Sequence, residues 1–249
     1  MTVRPLHAVT AYCLMLVLGL ALLLLGEALG GIAAALGRVG GVQIAGLLSL
    51  FLVIGLGGLA WRPSLGLYAP RLSFLPAALL VGAGLSLLIA STLSHLYSLG
   101  EAEEHARAVD DVLRETTRTL GPVAMALIIL LLGPVVEELL FRGLILRGFH
   151  SRYPAWAAVL VSTVLFAMLH GHPVHGLITA VLGLACALAV LRAGSIWPAV
   201  VLHCAYNANT LGLDYLGYTE PLSAWVIIPA LAIVIAGVFL ACRPVNRTG

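Results

Sequence analysis

LLGPVVEELLFRGLIL, residues 131–146, decides how this chain is read. All but three of its residues are apolar, yet it carries Glu137, Glu138 and Arg142. An ionisable side chain at the centre of a membrane helix costs about 3 kcal/mol by insertion scales, and such groups persist by pairing or by lining a wet cavity. Two neighbouring stretches repeat the anomaly: LFAMLHGHP, with His170 and His172, and LHCAYNAN, with His203, Asn207 and Asn209. Unpaired, the whole set would cost about 10 kcal/mol. Packing alone gives no reason to carry that cost.

The rest of the chain supplies the membrane context. It has 249 residues, 61% hydrophobic and 10% charged, against about 25% charged in soluble domains. A span needs about 20 mainly apolar residues. Eight candidates emerge: Val9–Leu29, Val42–Trp61, Phe74–Tyr97, Pro122–Leu146, Ala155–His170, Val174–Leu191, Ile196–Leu213 and Ala224–Ala241. The fifth to seventh are short. The fold expected is all-α, a polytopic bundle of about eight transmembrane helices forming one membrane domain over 1–249, with its motif-bearing core at about 122–213. The apolar run from Val9 to Leu25 is too long for a typical signal-peptide core and no clear cleavage site follows, so it reads as a retained helix.

Charge sets the expected orientation. Arg4, then Arg62 and Arg71, then Arg147 and Arg152, then Arg192, then Arg243 and Arg247 fall at alternating breaks. The positive-inside rule then puts both termini in the cytoplasm. All thirteen basic residues are arginine; with so much Ala, Leu and Gly this hints at a GC-rich bacterial genome and an inner-membrane location. A net charge of +2 is too small to suggest a nucleic-acid partner. The four cysteines show no CxxC spacing and read as small apolar filler. The longest break, Leu99–Thr119, has apolar residues at helical spacing among six acids and three arginines. It reads as an amphipathic helix near the outer surface, either a solvated connector or a lid.

Helical spacing sorts the buried polar groups. Glu138 and Arg142 are four apart and meet on one face; Glu137 is turned about 100° away and is free to face another helix. His203 shares a face with Asn207, and Phe166 with His170. Counted from Arg152, Glu137 lies fifteen residues before and His170 eighteen after, so their depths agree within about one turn. His203, about nine residues past Arg192–Gly194, is less well placed. His172 and His175 read as surface groups of a turn, and Asn209 as a capping or packing residue. Hydrolysis, proton-coupled or ion transport, and a structural ion-pair cluster all remain open on the residues alone.

The pattern Glu137-Glu138-x-x-x-Arg142, Phe166-x-x-x-His170 and His203-x-x-x-Asn207, on successive hydrophobic segments from about Pro134 to Asn209, resembles the CPBP family. That family groups type II CAAX prenyl endopeptidases with bacteriocin-processing and immunity-type (Abi) membrane proteins. The resemblance implies a glutamate-type intramembrane endopeptidase acting on a membrane-anchored protein or peptide within the lipid bilayer. By it, Glu137 with His170 would activate water, His203 and Asn207 would stabilise the oxyanion, and Glu138, Arg142 and Phe166 would support the site. A non-catalytic immunity-type protein is the alternative within the family. No cofactor is expected. The alternative is zinc held by Glu137, His170 and His203, a three-ligand set with an open position; against it, there is no HExxH and no spare carboxylate on the fifth or seventh helix to hold a ligating histidine's second N–H.

Overall fold

The computed structural model describes residues 2–92, 96, 101–216 and 224–242. The helices are α1 Pro5–Leu29, α2 Gly31–Leu56, α3 Trp61–Leu65, α4 Phe74–Thr92, α5 Glu101–Leu120, α6 Pro122–His150, α7 Ala155–Met168, α8 Pro173–Ala193, α9 Trp197–Tyr215 and α10 Ile227–Cys242. Among the described residues there is no strand. The fold is an all-α polytopic membrane bundle. By length and composition α1, α2, α4, α6 and α8 can each cross a membrane, while α7 and α10 are shorter apolar helices. α9 is long enough but carries His203, Asn207 and Asn209. Part of the expected third span, residues 99–100 of the long connector, and Glu220, Arg243 and Arg247 lie outside the described residues.

Small residues bring the helices together. α1 and α2 turn at Gly30 and Gly31, whose φ of 70° and 55° suits glycine. Where the two helices cross, a Cβ on Gly26 would lie 2.6 Å from the Ala33 carbonyl oxygen. On α4, a Cβ at Gly82 would lie 2.2 Å from the Leu202 carbonyl oxygen of α9, and across α10 one at Gly237 would lie 2.8 Å from that of Ala77. Association in lipid rests on such close van der Waals approach, because hydrocarbon supplies no hydrophobic drive between helices. Accordingly, large apolar side chains such as Val17, Leu56, Trp156 and Phe239 lie on the outside.

α6 is the central helix. It packs against α1, α2, α7, α8 and α9, and it separates two apolar clusters. One gathers α1, α2 and α3 residues around Phe141, Leu144 and Ile145; the other gathers α4, α7, α8 and α9 residues around Leu146. α6 is not uniformly wound. Regular α-turns at Gly133–Glu138 lie between wider π-helical stretches at Ile128–Leu132 and Leu139–Leu146. Pro134 lacks the N–H that would continue the ladder, and side chains from neighbouring helices meet backbone carbonyls here. Asn207 Nδ2 donates to the Ile129 carbonyl at 2.9 Å, and Ser162 Oγ to that of Phe141 at 2.9 Å. Inside a bilayer, backbone groups outside the regular ladder need such partners.

Two expectations change in detail. Arg38, in the expected break between Leu29 and Val42, lies within α2 and clamps three helices: it meets Glu27 of α1 at 2.6 Å and Glu115 of α5 at 3.2 Å. The long connector is indeed a polar helix, α5, held against α2 by that contact. The second change concerns the depth of His203. The α8–α9 turn is sunk into the bundle: Ser195 and Ile196 are fully buried, Ser195 Oγ donates to the Tyr68 carbonyl at 2.6 Å, and the Ile196 N–H to that of Gly66 at 3.2 Å. α9 therefore starts deeper than α7 does, and the short count to His203 still reaches the level of the glutamates.

Candidate active site

Four helices build the site. Glu138 and Arg142 pair at 2.9 Å with both side chains fully buried. The Arg142 guanidinium also donates to the Gly183 carbonyl of α8 at 2.9 Å and sits 4.5 Å from the centre of the Phe166 ring of α7. Gly183 makes room for this. A Cβ there would lie 3.0 Å from both Arg142 Nη2 and the Phe166 ring. Phe166 is the hub: its ring meets those of His170 at 5.0 Å and His203 at 5.9 Å, both edge-on.

Glu138 does more than pair with Arg142. Its Oε1 also lies 3.0 Å from His203 Nδ1. A carboxylate only accepts, so Nδ1 carries the proton. His203 Nε2 then points towards Glu137, 3.8 Å from its Oε2, too long for a direct hydrogen bond. His170 is fixed the same way, with Nδ1 2.9 Å from the Phe166 carbonyl oxygen. Both imidazoles thus have Nδ1 anchored and Nε2 uncommitted among the described residues. The missing carboxylate partner for a histidine is supplied by α6, not by α7 or α9.

The two glutamates differ in access. Glu138 is 0% exposed and Glu137 16%, so Glu137 alone can meet an incoming molecule. Not every expected neighbour is in contact. Among the described residues no hydrogen bond joins His170 to Glu137; Phe166 links His170 to the rest. Asn207, one turn beyond His203, bonds the Ile129 carbonyl with one of its N–H groups. Asn209 donates to Ser86 Oγ of α4 at 2.6 Å, a packing contact. His172 and His175 depart from the surface reading. Both are partly buried; His175 lies 5.0 Å from the His170 ring, and His172 stacks at 4.3 Å on His105 of α5.

Gln43 of α2 is absent from the expected set. A Cβ at Gly133 would lie 3.5 Å from Gln43 Nε2 and 3.7 Å from Glu137 Oε1, so the bare glycine lets the amide in beside the carboxylate. Gln43 Oε1 is buried with no hydrogen-bond partner among the described residues. One amide in an apolar stretch far along the chain has no motif spacing to expose it. The signal available was that a polar group inside a span demands a reason.

A metal reading finds a different trio from the expected one. Ligand atoms of Glu138, Cys186 and His203, all buried, lie within 4.8 Å of one another. Thiolate, imidazole and carboxylate suit zinc. However, Glu138 already faces a guanidinium at 2.9 Å, and a second cation there would meet that fixed charge.

The arrangement is that of a buried carboxylate–histidine centre inside a membrane bundle. Residues 119–209, the stretch carrying these groups, match the family described as type II CAAX prenyl endopeptidase Rce1-like. A Bacillus subtilis (strain 168) protein named as a candidate membrane peptidase, YdiL, is 25% identical over 113 residues, 45% of this chain and 44% of its own length. An Escherichia coli protein described only as an uncharacterized 24.3 kDa protein is 39% identical over 92 residues, 35% of this chain and 42% of its own. The matches thus span less than half the length of either relative. No solved structure matches the chain. Residues 119–209 are thus similar to the CAAX protease (CPBP) family.

Proposed function

We propose that the protein is an intramembrane endopeptidase that hydrolyses a peptide bond of a membrane-anchored protein or peptide. What carries this reading is Glu137, partly exposed and 3.8 Å from His203 Nε2, beside the Phe166 ring that also holds His170. Glu137 takes a proton from water, whose oxygen attacks the scissile carbonyl carbon; His170 Nε2 accepts from and orients that water. The oxyanion is met by Asn207 through its second amide N–H and by His203 Nε2–H. Since Nδ1 already donates to Glu138, His203 donates from Nε2 only when both ring nitrogens carry a proton. Collapse of the tetrahedral species breaks the C–N bond, and Glu137 returns its proton to the leaving nitrogen. Donors fixed in a site of low dielectric are effective for such charge.

Glu137→Ala should lower cleavage of a membrane-anchored substrate by about 10²- to 10⁴-fold while leaving the Glu138–Arg142 pair and the yield of folded protein unchanged. Unchanged processing in this variant overturns the assignment. A pH-dependent ion flux in proteoliposomes that the same substitution abolishes would replace it with the transporter.

The proposed mechanism uses no metal, because the cation of the site is Arg142. Purified protein should cleave after exhaustive chelation and contain less than one equivalent of zinc by elemental analysis. Activity lost with chelator and restored by one equivalent of zinc overturns this while preserving the residue set.

A further inference from the structure

About ten residues, or roughly 15 Å along α6, separate Glu137 from a second polar feature at the end of the helix. A cavity of about 370 Å³ opens there, lined by residues that include Thr2, Ser64, Leu146, Arg147, His150 and Val190. This volume is within the range of small-molecule sites. Arg147 is partly buried, and among the described residues its guanidinium has no hydrogen-bond partner and no carboxylate partner. A planar guanidinium with five donors is costly to leave in that condition.

The surroundings are shaped around it. Gly66, at φ +67°, lies under the guanidinium, and a Cβ there would be 2.8 Å from Arg147 Nη1. The left-handed conformation favours glycine at that position, and the absent Cβ leaves the guanidinium its room. Next to Arg147, Gly148 lets the N-terminal segment close the cavity, since a Cβ there would lie 3.1 Å from the Arg4 carbonyl oxygen. Arg4, Arg62, Arg71, Arg152 and Arg192 belong to the same end of the bundle, and its described segments, 2–8, 57–73, 147–156 and 191–197, contain no Asp or Glu. Among the described residues no carboxylate competes for Arg147, and the Tyr68 phenol is its titratable neighbour. Leu146 and Val190 give the cavity an apolar floor.

We propose that this cavity binds the phosphate of an anionic phospholipid headgroup, with Arg147 as the anchor, His150 and Thr2 at the rim, and the start of an acyl chain on the Leu146–Val190 floor. Guanidinium matches phosphate bidentately. The apolar floor beside it favours a lipid over free phosphate, and a lipid held here would fix the height of α6, and so of Glu137, in the bilayer.

The test uses the full chain purified in detergent and offered phosphatidylglycerol or phosphatidylcholine, with retained lipid read by native mass spectrometry. Phosphatidylglycerol should be retained preferentially. Arg147→Gln should reduce its retention about tenfold, the loss of one charge-assisted contact, whereas Arg152→Gln, an exposed arginine outside the cavity, should not. Equal retention of the two lipids, or equal effects of the two substitutions, overturns the proposal. Displacement of the lipid by millimolar inorganic phosphate would make free phosphate the ligand and overturn the lipid assignment. A photoactivatable phosphatidylglycerol on the wild-type protein removes any dependence on how Arg147→Gln folds. Crosslinks should concentrate on residues 146–151; label spread evenly over the peptides carrying Arg4, Arg62, Arg71 and Arg192 overturns the site.

Discussion

Two acid–arginine pairs in this chain have the same spacing and opposite physics. Glu138–Arg142 on α6 and Asp110–Arg114 on α5 are both four residues apart, at 2.9 Å and 2.7 Å. The α6 pair is fully buried, whereas the α5 side chains are 49% and 64% exposed. Each member of the buried pair has further work. Glu138 orients His203, and Arg142 holds the Gly183 carbonyl and the Phe166 ring. Asp110 raises the Arg114 guanidinium above its usual pKa range, chiefly through their hydrogen bond, and water surrounds both. The contrast shows that an i,i+4 acid–arginine motif carries no fixed energy. Burial and the number of additional partners decide what it contributes.

The sharpest way to break that contrast is to remove Arg142. Arg142→Ala strands Glu138 and should destabilise the protein by about 3–5 kcal/mol, the usual cost of breaking one partner of a buried pair. Denaturation in mild detergent, followed by intrinsic fluorescence, checks it. In an isolated buried pair, replacing both partners with apolar residues is often neutral. Here the double substitution Glu138→Leu/Arg142→Met should not restore stability, because it leaves the buried His203 Nδ1–H without its acceptor. Full recovery in the double variant would show that the pair is self-contained.

A smaller effect is expected at Gly183. Its missing Cβ is the space in which Arg142 and Phe166 meet, with 3.0 Å to each. Both side chains are fully buried and cannot swing away. Gly183→Ala should therefore cost about 1–3 kcal/mol, as overpacking does, and lower cleavage through misplacement of Phe166 and its two histidine neighbours. A variant with unchanged thermal midpoint and unchanged cleavage would mean that the contact is loose.

How much of this was legible in the sequence follows from the range of each interaction. The α6 pair, the freedom of Glu137 and the Phe166–His170 contact are all consequences of helical spacing within one segment, and spacing is visible. His203 bonding Glu138 joins residues on different helices, so it depends on how deep the α8–α9 turn sits, which Ser195 and Tyr68 determine. The π-helical winding of α6 escapes a 3.6-residue reading altogether, although Pro134 marked its neighbourhood. Gln43 and His105, which stacks on His172, come from parts of the chain outside the motif-bearing segments. Neither Arg38's clamp nor the cavity beside Arg147 has a sequence pattern, because each forms only where distant helix ends meet.

The smallest expected effect is the other half of the comparison. Arg114→Ala removes the α5 partner of Asp110, and the carboxylate it leaves behind is already hydrated. Exposed pairs gain little because water screens the attraction and two long side chains must be held still. α5 retains its attachment to α2 through Arg38 and Glu115, and its neighbouring Glu103–Arg107 pair. The thermal midpoint of Arg114→Ala should therefore match wild type within error in low salt. Raising the salt should not separate the two proteins, since screening acts within about 10 Å at 0.1 M on a pair that contributes little to begin with. Arg38→Ala, measured beside it, should loosen α5 and increase hydrogen exchange across residues 101–120. If Arg114→Ala destabilised the protein as much as Arg142→Ala does, burial would not be what separates the two pairs, and α5 would have to be a docked structural element whose charges work as those of α6 do.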